Sequence, residues 1–349
     1  MFVAGIEANV LAERLNALVR AERGPGARVH GLRVMEDGHA GLTFGFEVQA
    51  GSGASESYIL KLAPVGVPRR GSTDVFRQAV LLRALHAAGL PAPALVWAAE
   101  DEAVLGTPFI VMERLPGRVF LSWNSDGALA GDDEAVRELW LQAVRALAGF
   151  HRLDWTRALA DWEAPHTLDS ELKRWHSLLS HAPEPHWLEA GQRVHRTLLA
   201  TLPPEGPIGL IHGDYQPGNV LYEQGRLTGV IDWDLAGIGP QGTDIGWLLM
   251  MIDPAAWVDD WRPLAPLTRE RLIQTYRDAG GTALENLAWF QAFAQFRLGA
   301  IAGLNVKLHR DGRRHDPIWE RFALAVSSLF ARAQELLEGV DAPVRSTPP

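Results

Sequence analysis

Extended runs are concentrated in the first third of this 349-residue chain and helical periodicity dominates the remainder, an asymmetry that constrains the fold more than any other feature. Val29 to Met35, Leu42 to Gln49 and Ser57 to Leu62 read as strands separated by glycine-bearing turns, Glu36 to Gly41 and Ala50 to Gly53, which predicts an antiparallel meander. Ile6 to Arg20 before them and Asp74 to Ala88 after them carry apolar residues at helical spacing, the second stopped by Gly89. The extended runs Ala94 to Ala99 and Pro108 to Glu113 complete a small sheet with a helix inserted. Beyond the Pro-Gly break at Leu115 to Gly117, helical segments are predicted at Glu134 to Arg152, Leu168 to Leu179, Arg193 to Leu202, Leu267 to Asp278, Leu284 to Val306 and Ile318 to Leu337. One β-rich island, Ile208 to Ile231, interrupts them. The predicted class is α+β, with an N-terminal lobe over 1–114, a larger mainly helical lobe over 115–341 and a disordered tail over 342–349.

Composition narrows the chemistry. The absence of cysteine excludes disulfides, thiolate zinc sites and a cysteine nucleophile. A formal charge of −9 argues against a nucleic-acid partner, which requires a basic stripe. No apolar run is long enough to span a bilayer and no cationic leader opens the chain, so a cytoplasmic location without a membrane partner is expected. Only three of the 33 basic residues are lysines, Lys61, Lys173 and Lys307, so a lysine here departs from the chain's habit.

The most informative stretch is His212-Gly213-Asp214-Tyr215-Gln216-Pro217-Gly218-Asn219, followed by Gly229-Val230-Ile231-Asp232-Trp233-Asp234. A carboxylate, an amide five residues on in a Gly/Pro loop, and a second carboxylate after an apolar run can converge on a hard cation. Asn219 and Asp232 offer the oxygen ligands that suit magnesium, leaving Asp214 to accept a proton from an attacking hydroxyl. An Asx-rich turn between strands is the plainer alternative. His309-Arg310-Asp311 spells a similar triplet, but Asp316 stands where an asparagine is needed, and the segment reads as a solvated helix end.

These residues resemble the aminoglycoside phosphotransferase and choline kinase family, protein-kinase-like enzymes that phosphorylate small-molecule hydroxyls. The His-Gly-Asp-x-x-x-x-Asn loop matches at His212, Gly213, Asp214 and Asn219, and the family's metal-binding aspartate falls on Asp232. In Gly117-Arg118-Val119-Phe120, Leu153-Asp154-Trp155 and Asp232-Trp233-Asp234 the chain is similar to the phosphotransferase-like domain fused to certain acyl-CoA dehydrogenases. The resemblance implies a bilobal protein-kinase-like fold with ATP between the lobes, Mg2+ on Asn219 and Asp232, and Asp214 as catalytic base. It places a phosphate-covering loop at Gly38 and Gly41, a phosphate-binding strand lysine at Lys61, a hinge strand at Pro108 to Arg114, and adenine contacts around Met112, Glu113 and Leu115 at its end. His212 is expected to organise the loop by hydrogen bonds, and Asp234 to support the metal ligand. For Asp244 a helix N-cap and a brace for the catalytic loop stand as equal readings.

One position departs from the family. The glutamate that usually pairs with the strand lysine is replaced by Gln78, and no other glutamate lies between Lys61 and Glu100. Gln78 is expected to offer its carbonyl to Lys61, giving a retained but differently tuned ATP site. The substitution is also the support for the competing class, a non-catalytic nucleotide-binding pseudokinase. Asp253 and Trp257 are the candidate substrate residues, the one able to attract a cationic aminoglycoside and the other to cage a quaternary amine. The dehydrogenase-linked likeness implies instead a hydroxyacyl thioester or another metabolic hydroxyl. His176, His181, His186 and His195 read as surface residues.

Overall fold

The computed structural model describes residues 2–3, 6–35, 43–51, 55–123, 131–282 and 285–339. Gly38, Gly41 and the expected tail 342–349 lie outside these residues. Two compact units are present. The first comprises Met1–Arg118 together with Thr156–Trp162 and Thr228–Leu235; the second comprises Val119–Trp155, Glu163–Leu227 and Ala236–Pro349. The first unit thus takes in two short segments from later in the chain, and one of them holds Asp232 and Asp234.

In the first unit, helix α1 (Ala8–Arg23) precedes strands β1 (Arg28–Val34), β2 (Thr43–Gln49) and β3 (Glu56–Leu62), then helix α2 (Arg77–Ala87) and strands β4 (Leu95–Ala99) and β5 (Phe109–Glu113). The sheet is antiparallel in the order β1-β2-β3-β5-β4, which places β3 and β5 inside it. Leu11, Leu15 and Val19 recur every fourth residue and give α1 one apolar stripe. That stripe shares a buried core with Phe44, Phe46, Val48, Tyr58, Leu60 and Leu62. Strand alternation then fixes the lysine: with Leu60 and Leu62 in the core, Lys61 projects from the opposite face of β3.

The second unit is built around a 24-residue helix. In chain order its elements are α3 (Asp133–His151), α4 (Leu168–Leu179), α5 (Pro185–Ala200), β6 (Ile208–Ile211), β7 (Val220–Glu223), β8 (Gly237–Pro240), α6 (Gly242–Ile252), α7 (Arg269–Asp278), α8 (Leu287–Arg310), α9 (Ile318–Ala323) and α10 (Val326–Glu338). Trp289, Phe290, Phe293 and Phe296 of α8 share a core with Leu172, Trp175 and Leu179 of α4, Val194 and Leu198 of α5, and Phe330 of α10. α6 approaches α8 closely at glycines: a Cβ on Gly246 would lie 2.3 Å from the Phe290 carbonyl oxygen. β6 pairs antiparallel with β8, Ile211 opposite Gly237 and Ile208 opposite Pro240. This ribbon brings the loop that follows Ile211 beside the start of α6. The Gly-Ile-Gly-Pro sequence of β8 carried too little strand propensity to be predicted.

His195 departs from the surface reading. It stacks on His176 with ring centroids 4.0 Å apart and on Phe296 at 5.7 Å, and its Nε2 is buried with no partner among the described residues. Burial, with smaller contributions from His176 and Arg196, lowers its pKa to about 4 from 6.5. Between these values the unfolded chain binds a proton that the native state refuses. Stability should therefore fall as pH drops from 6.5 to 4 and level off below. His195→Phe keeps the stacking and is expected to flatten that dependence in thermal melts across the window; an unchanged slope would assign it to other groups.

Candidate active site

The loop after β6 is held from three sides, all within the second unit. Gly213 has φ +84°, a left-handed conformation that glycine adopts without strain, and this turns the chain sharply before Asp214. Asp244, fully buried, accepts from the backbone N–H of His212 at 2.7 Å and of Gly213 at 2.9 Å. It also contacts His151 Nε2 at 3.2 Å. Burial alone would raise its pKa; the His151 hydrogen bond, the charges of His151 and His212 and the His212 N–H together hold it below the ordinary carboxylate value. α6 begins at Gly242 with Gln241 at the cap position, so Asp244 lies inside the first turn, where its carboxylate reaches the loop as a brace. The N-cap reading is thereby removed.

The network extends to α3 and α7. His151 Nδ1 meets Tyr276 Oη at 2.7 Å, and Gln241 Nε2 donates to the His151 carbonyl at 2.7 Å. From α8, the buried Arg297 donates through Nη2 to the Gly213 carbonyl. Its guanidinium lies over the Trp175 ring at 4.4 Å and the Trp247 ring at 4.9 Å. Tyr215 Oη donates to the Ala143 carbonyl at 2.7 Å, so the residue after Asp214 is tied to α3. His212 Nδ1 accepts from the Asp214 N–H at 3.3 Å.

This framework presents one carboxylate. Asp214 accepts from Gln216 Nε2 at 3.0 and 3.2 Å and from Asn219 Nδ2 at 3.1 Å. Asn219 Nδ2 also donates to the Asp214 carbonyl at 2.9 Å, so the NH2 group is directed at Asp214 and the amide oxygen has no partner among the described residues. Gln216, Arg297 and His151 carry no sequence signal of their own for these roles. Gln216 lay within the motif, but the other two act across 84 and 93 positions and left no local signal.

The first unit carries the other half of the motif. Lys61 Nζ donates to Asp232 Oδ1 at 3.3 Å and, more closely, to Asp234 Oδ1. Burial pulls the Lys61 pKa down, but the carboxylates of Asp234 and Asp232 outweigh it, and the net direction is upward. Gln78 does not offer its carbonyl to Lys61 as expected: its Nε2 donates to Asp234 Oδ1 at 2.8 Å. Asp232 has φ +63°, a left-handed conformation that costs a non-glycine residue about 1–2 kcal/mol, and such strain concentrates at functional sites. Buried Trp233, whose Nε1 donates to the Val230 carbonyl at 3.0 Å, anchors the strained turn. At the end of β5 the Glu113 and Arg114 N–H groups are used by Ala94 and Ser57 carbonyls. Met112 is buried in the sheet, whereas the Leu115 N–H has no partner among the described residues.

The candidate substrate residues take different positions. Trp257 is buried, donates to the Met250 carbonyl at 3.1 Å and packs edge-on against Trp123, so it fills core. Asp253 lines a cavity of about 430 Å³ with Leu249, Ile252, Arg269, Gln291 and Arg332. Its carboxylate accepts from Gln291 Nε2 at 2.7 Å and pairs with Arg332 Nε at 2.9 Å. His309-Arg310-Asp311 ends α8, with Arg310 paired to Glu184 and Glu320 at the surface.

An antiparallel five-stranded sheet with its lysine strand, and a helical unit carrying a His-Gly-Asp loop, define a protein-kinase-like α+β fold. Within that class the chain belongs to the phosphotransferase enzyme family, whose sequence model matches residues 38–293. It is 25% identical over 262 residues to acyl-CoA dehydrogenase family member 10 of Mus musculus, which covers 71% of this chain but only 24% of that protein. The chain thus spans about a quarter of that relative's length. Aminoglycoside 3'-phosphotransferase of Streptomyces fradiae is 24% identical over 278 residues, 76% of this chain and 95% of that one. Among solved structures, a Ralstonia eutropha protein classed with the aminoglycoside phosphotransferases matches with a TM-score of 0.73 at 21% identity, over 94% of this chain and 98% of that one. A thermostable mutant of aminoglycoside phosphotransferase APH(4)-Ia, in a ternary complex with ADP and hygromycin B, matches with a TM-score of 0.57 at 14% identity, over 95% of this chain and 99% of that one. At these identities the structural matches speak to the fold. Among the described residues no helix is long and apolar enough to cross a membrane.

Proposed function

We propose that the chain is an ATP- and magnesium-dependent kinase that transfers the γ-phosphoryl group to a hydroxyl of a small molecule. The supporting observation is the Asp214 carboxylate, partly exposed and oriented by two side-chain amides in a loop clamped by Asp244 and Arg297. Asp214 takes the hydroxyl proton as the acceptor oxygen attacks the γ-phosphorus, the bond to the bridging oxygen breaks, and ADP departs. Lys61 holds the phosphates and the Leu115 N–H is the hinge donor to the adenine, with Gly38 and Gly41 as the covering loop and Met112 and Glu113 shaping the hinge. Asn219 and Asp232 suit magnesium: each is an oxygen donor, and neither Asn219 Oδ1 nor Asp232 Oδ2 has a partner among the described residues. Bound there, magnesium would neutralise phosphate charge. His212 and Asp244 keep the loop in place.

The cavity beside Asp253 informs the acceptor. Arg332 pairs with both Asp253 and Glu335, and Arg269 donates to Gln291 on the same wall, so Asp253 is not a free carboxylate for a polycation. A hydroxyacyl thioester or another uncharged or anionic metabolic hydroxyl fits this wall better than an aminoglycoside, and the likeness to acyl-CoA dehydrogenase family members supports that choice. The competing reading is a nucleotide-binding pseudokinase. An ADP-release screen over hydroxyacyl-CoAs, sugars, choline, macrolides and aminoglycosides separates them. Turnover is expected with the first class; magnesium-dependent ATP binding without turnover on any acceptor would favour the pseudokinase.

A further inference from the structure

The missing glutamate on α2 leaves Lys61 without its usual partner, yet Lys61 is not left unpaired. We infer that Asp234, in the segment following the Arg226–Val230 strand, is the counter-ion of Lys61 in this chain and that Gln78 is the positioning residue that holds it there. The inference rests on the reading of Lys61 as the phosphate-holding residue.

Three observations within the first unit carry it. Lys61 Nζ makes its closer contact with Asp234 Oδ1, the same oxygen to which Gln78 Nε2 donates at 2.8 Å. One carboxylate oxygen is therefore fixed between an ammonium and an amide, the arrangement that orients a long lysine side chain. Gln78 is 2% exposed, so its amide geometry is set by packing rather than by solvent. The first turn of α2 also reaches Asp234 through its backbone, Arg77 Nη1 donating to the Asp234 carbonyl at 3.4 Å, while Arg77 lies over the Trp162 ring at 4.8 Å.

The same geometry accounts for glutamine at position 78. A glutamate there would face the Asp234 carboxylate at hydrogen-bonding distance, with Asp232 also beside Lys61, and one ammonium would have to balance three carboxylates. The glutamine removes that repulsion and turns the helix residue from an acceptor for lysine into a donor for aspartate. Gln78 and Asp234 should therefore be interchangeable only as a pair.

The test is an exchange in the full chain, read as ADP affinity in EDTA and as KM for ATP with magnesium. Gln78→Glu and Asp234→Asn are each expected to weaken ADP binding by about ten- to a hundred-fold, the effect of a lost charge-assisted hydrogen bond. The double variant, which returns the carboxylate to the helix and the amide to position 234, should recover to within about three-fold of the parent. A merely structural role for either residue predicts no such recovery. Single effects that multiply in the double variant, or an Asp234→Asn variant that binds ADP as tightly as the parent, would overturn the assignment. If Gln78→Glu fails to fold by circular dichroism, Gln78→Met removes the N–H without adding charge and should still weaken ADP binding; unchanged affinity would overturn the role of Gln78. Lys61→Ala separates the underlying reading: if it leaves ADP affinity intact, the phosphate-holding role itself fails, whereas lost affinity together with multiplying effects condemns only the Asp234 assignment.

Discussion

Asp214→Asn is expected to lower kcat by about two to four decades while leaving magnesium–ATP affinity within a few-fold of the parent. The asparagine keeps the size of the side chain and an oxygen to accept from Gln216 or Asn219, so the loop should stand. What is lost is the capacity to take the acceptor's proton. Steady-state kinetics with ATP and an acceptor from the hydroxyl screen, together with calorimetric ADP binding, separate the two effects. Parent-like kcat would remove Asp214 from the chemistry. Equal losses in kcat and nucleotide affinity would mean instead that the substitution had disturbed the loop as a whole.

The largest expected stability effect is at Asp244. Its carboxylate is fully buried and accepts from two consecutive backbone N–H groups and contacts His151. Asp244→Asn places an NH2 group against at least one of those donors and removes the charge that faces His151 in the core. Breaking a buried pair from one side costs about 3–5 kcal/mol, and denaturant unfolding followed by tryptophan fluorescence should show a loss of that order. The pH dependence gives a second signature. Because the native Asp244 pKa lies below the ordinary 3.8, its contribution is present above that value and is lost as pH falls through the native pKa. The difference in stability between parent and Asp244→Asn should therefore shrink under strongly acidic conditions. A difference below 1 kcal/mol at neutral pH would show that the brace is dispensable. Loop disorder without global unfolding would appear as lost turnover with parent-like melting.

Local signals were the legible part of the fold. The capping box of Thr167 and Ser170 fixes α4 at Leu168–Leu179, the range that periodicity predicts. α5 begins at Pro185, eight positions before the expected Arg193, because proline is tolerated in the first turn of a helix although it reads as a breaker in sequence. The predicted helix Ile318 to Leu337 is divided into α9 and α10 around Leu324 and Ala325, a break that no glycine or proline marks. At the site, Asp214, Asn219, Asp232 and Lys61 were legible because their spacing or rarity is itself the signal. Asp244 was legible only as a pair of alternatives, since its role depends on the Ile211–Gly237 register that sets the loop beside α6. Arg297 reads in sequence as a charge within an apolar helix; only the two tryptophan faces and the Gly213 carbonyl reveal its role. Gln78 reads as a defect until Asp234, 156 positions away, supplies the carboxylate.

The central claim, transfer of a phosphoryl group to a small-molecule hydroxyl with Asp214 as base, is tested most directly by phosphorus NMR of the products. The chain and its Asp214→Asn variant are incubated with ATP, magnesium and a hydroxyacyl-CoA. The account predicts a phosphomonoester resonance on the acceptor, equimolar with ADP, from the parent and not from the variant. ADP with free phosphate and an unmodified acceptor, or equal phosphomonoester from both proteins, would contradict it.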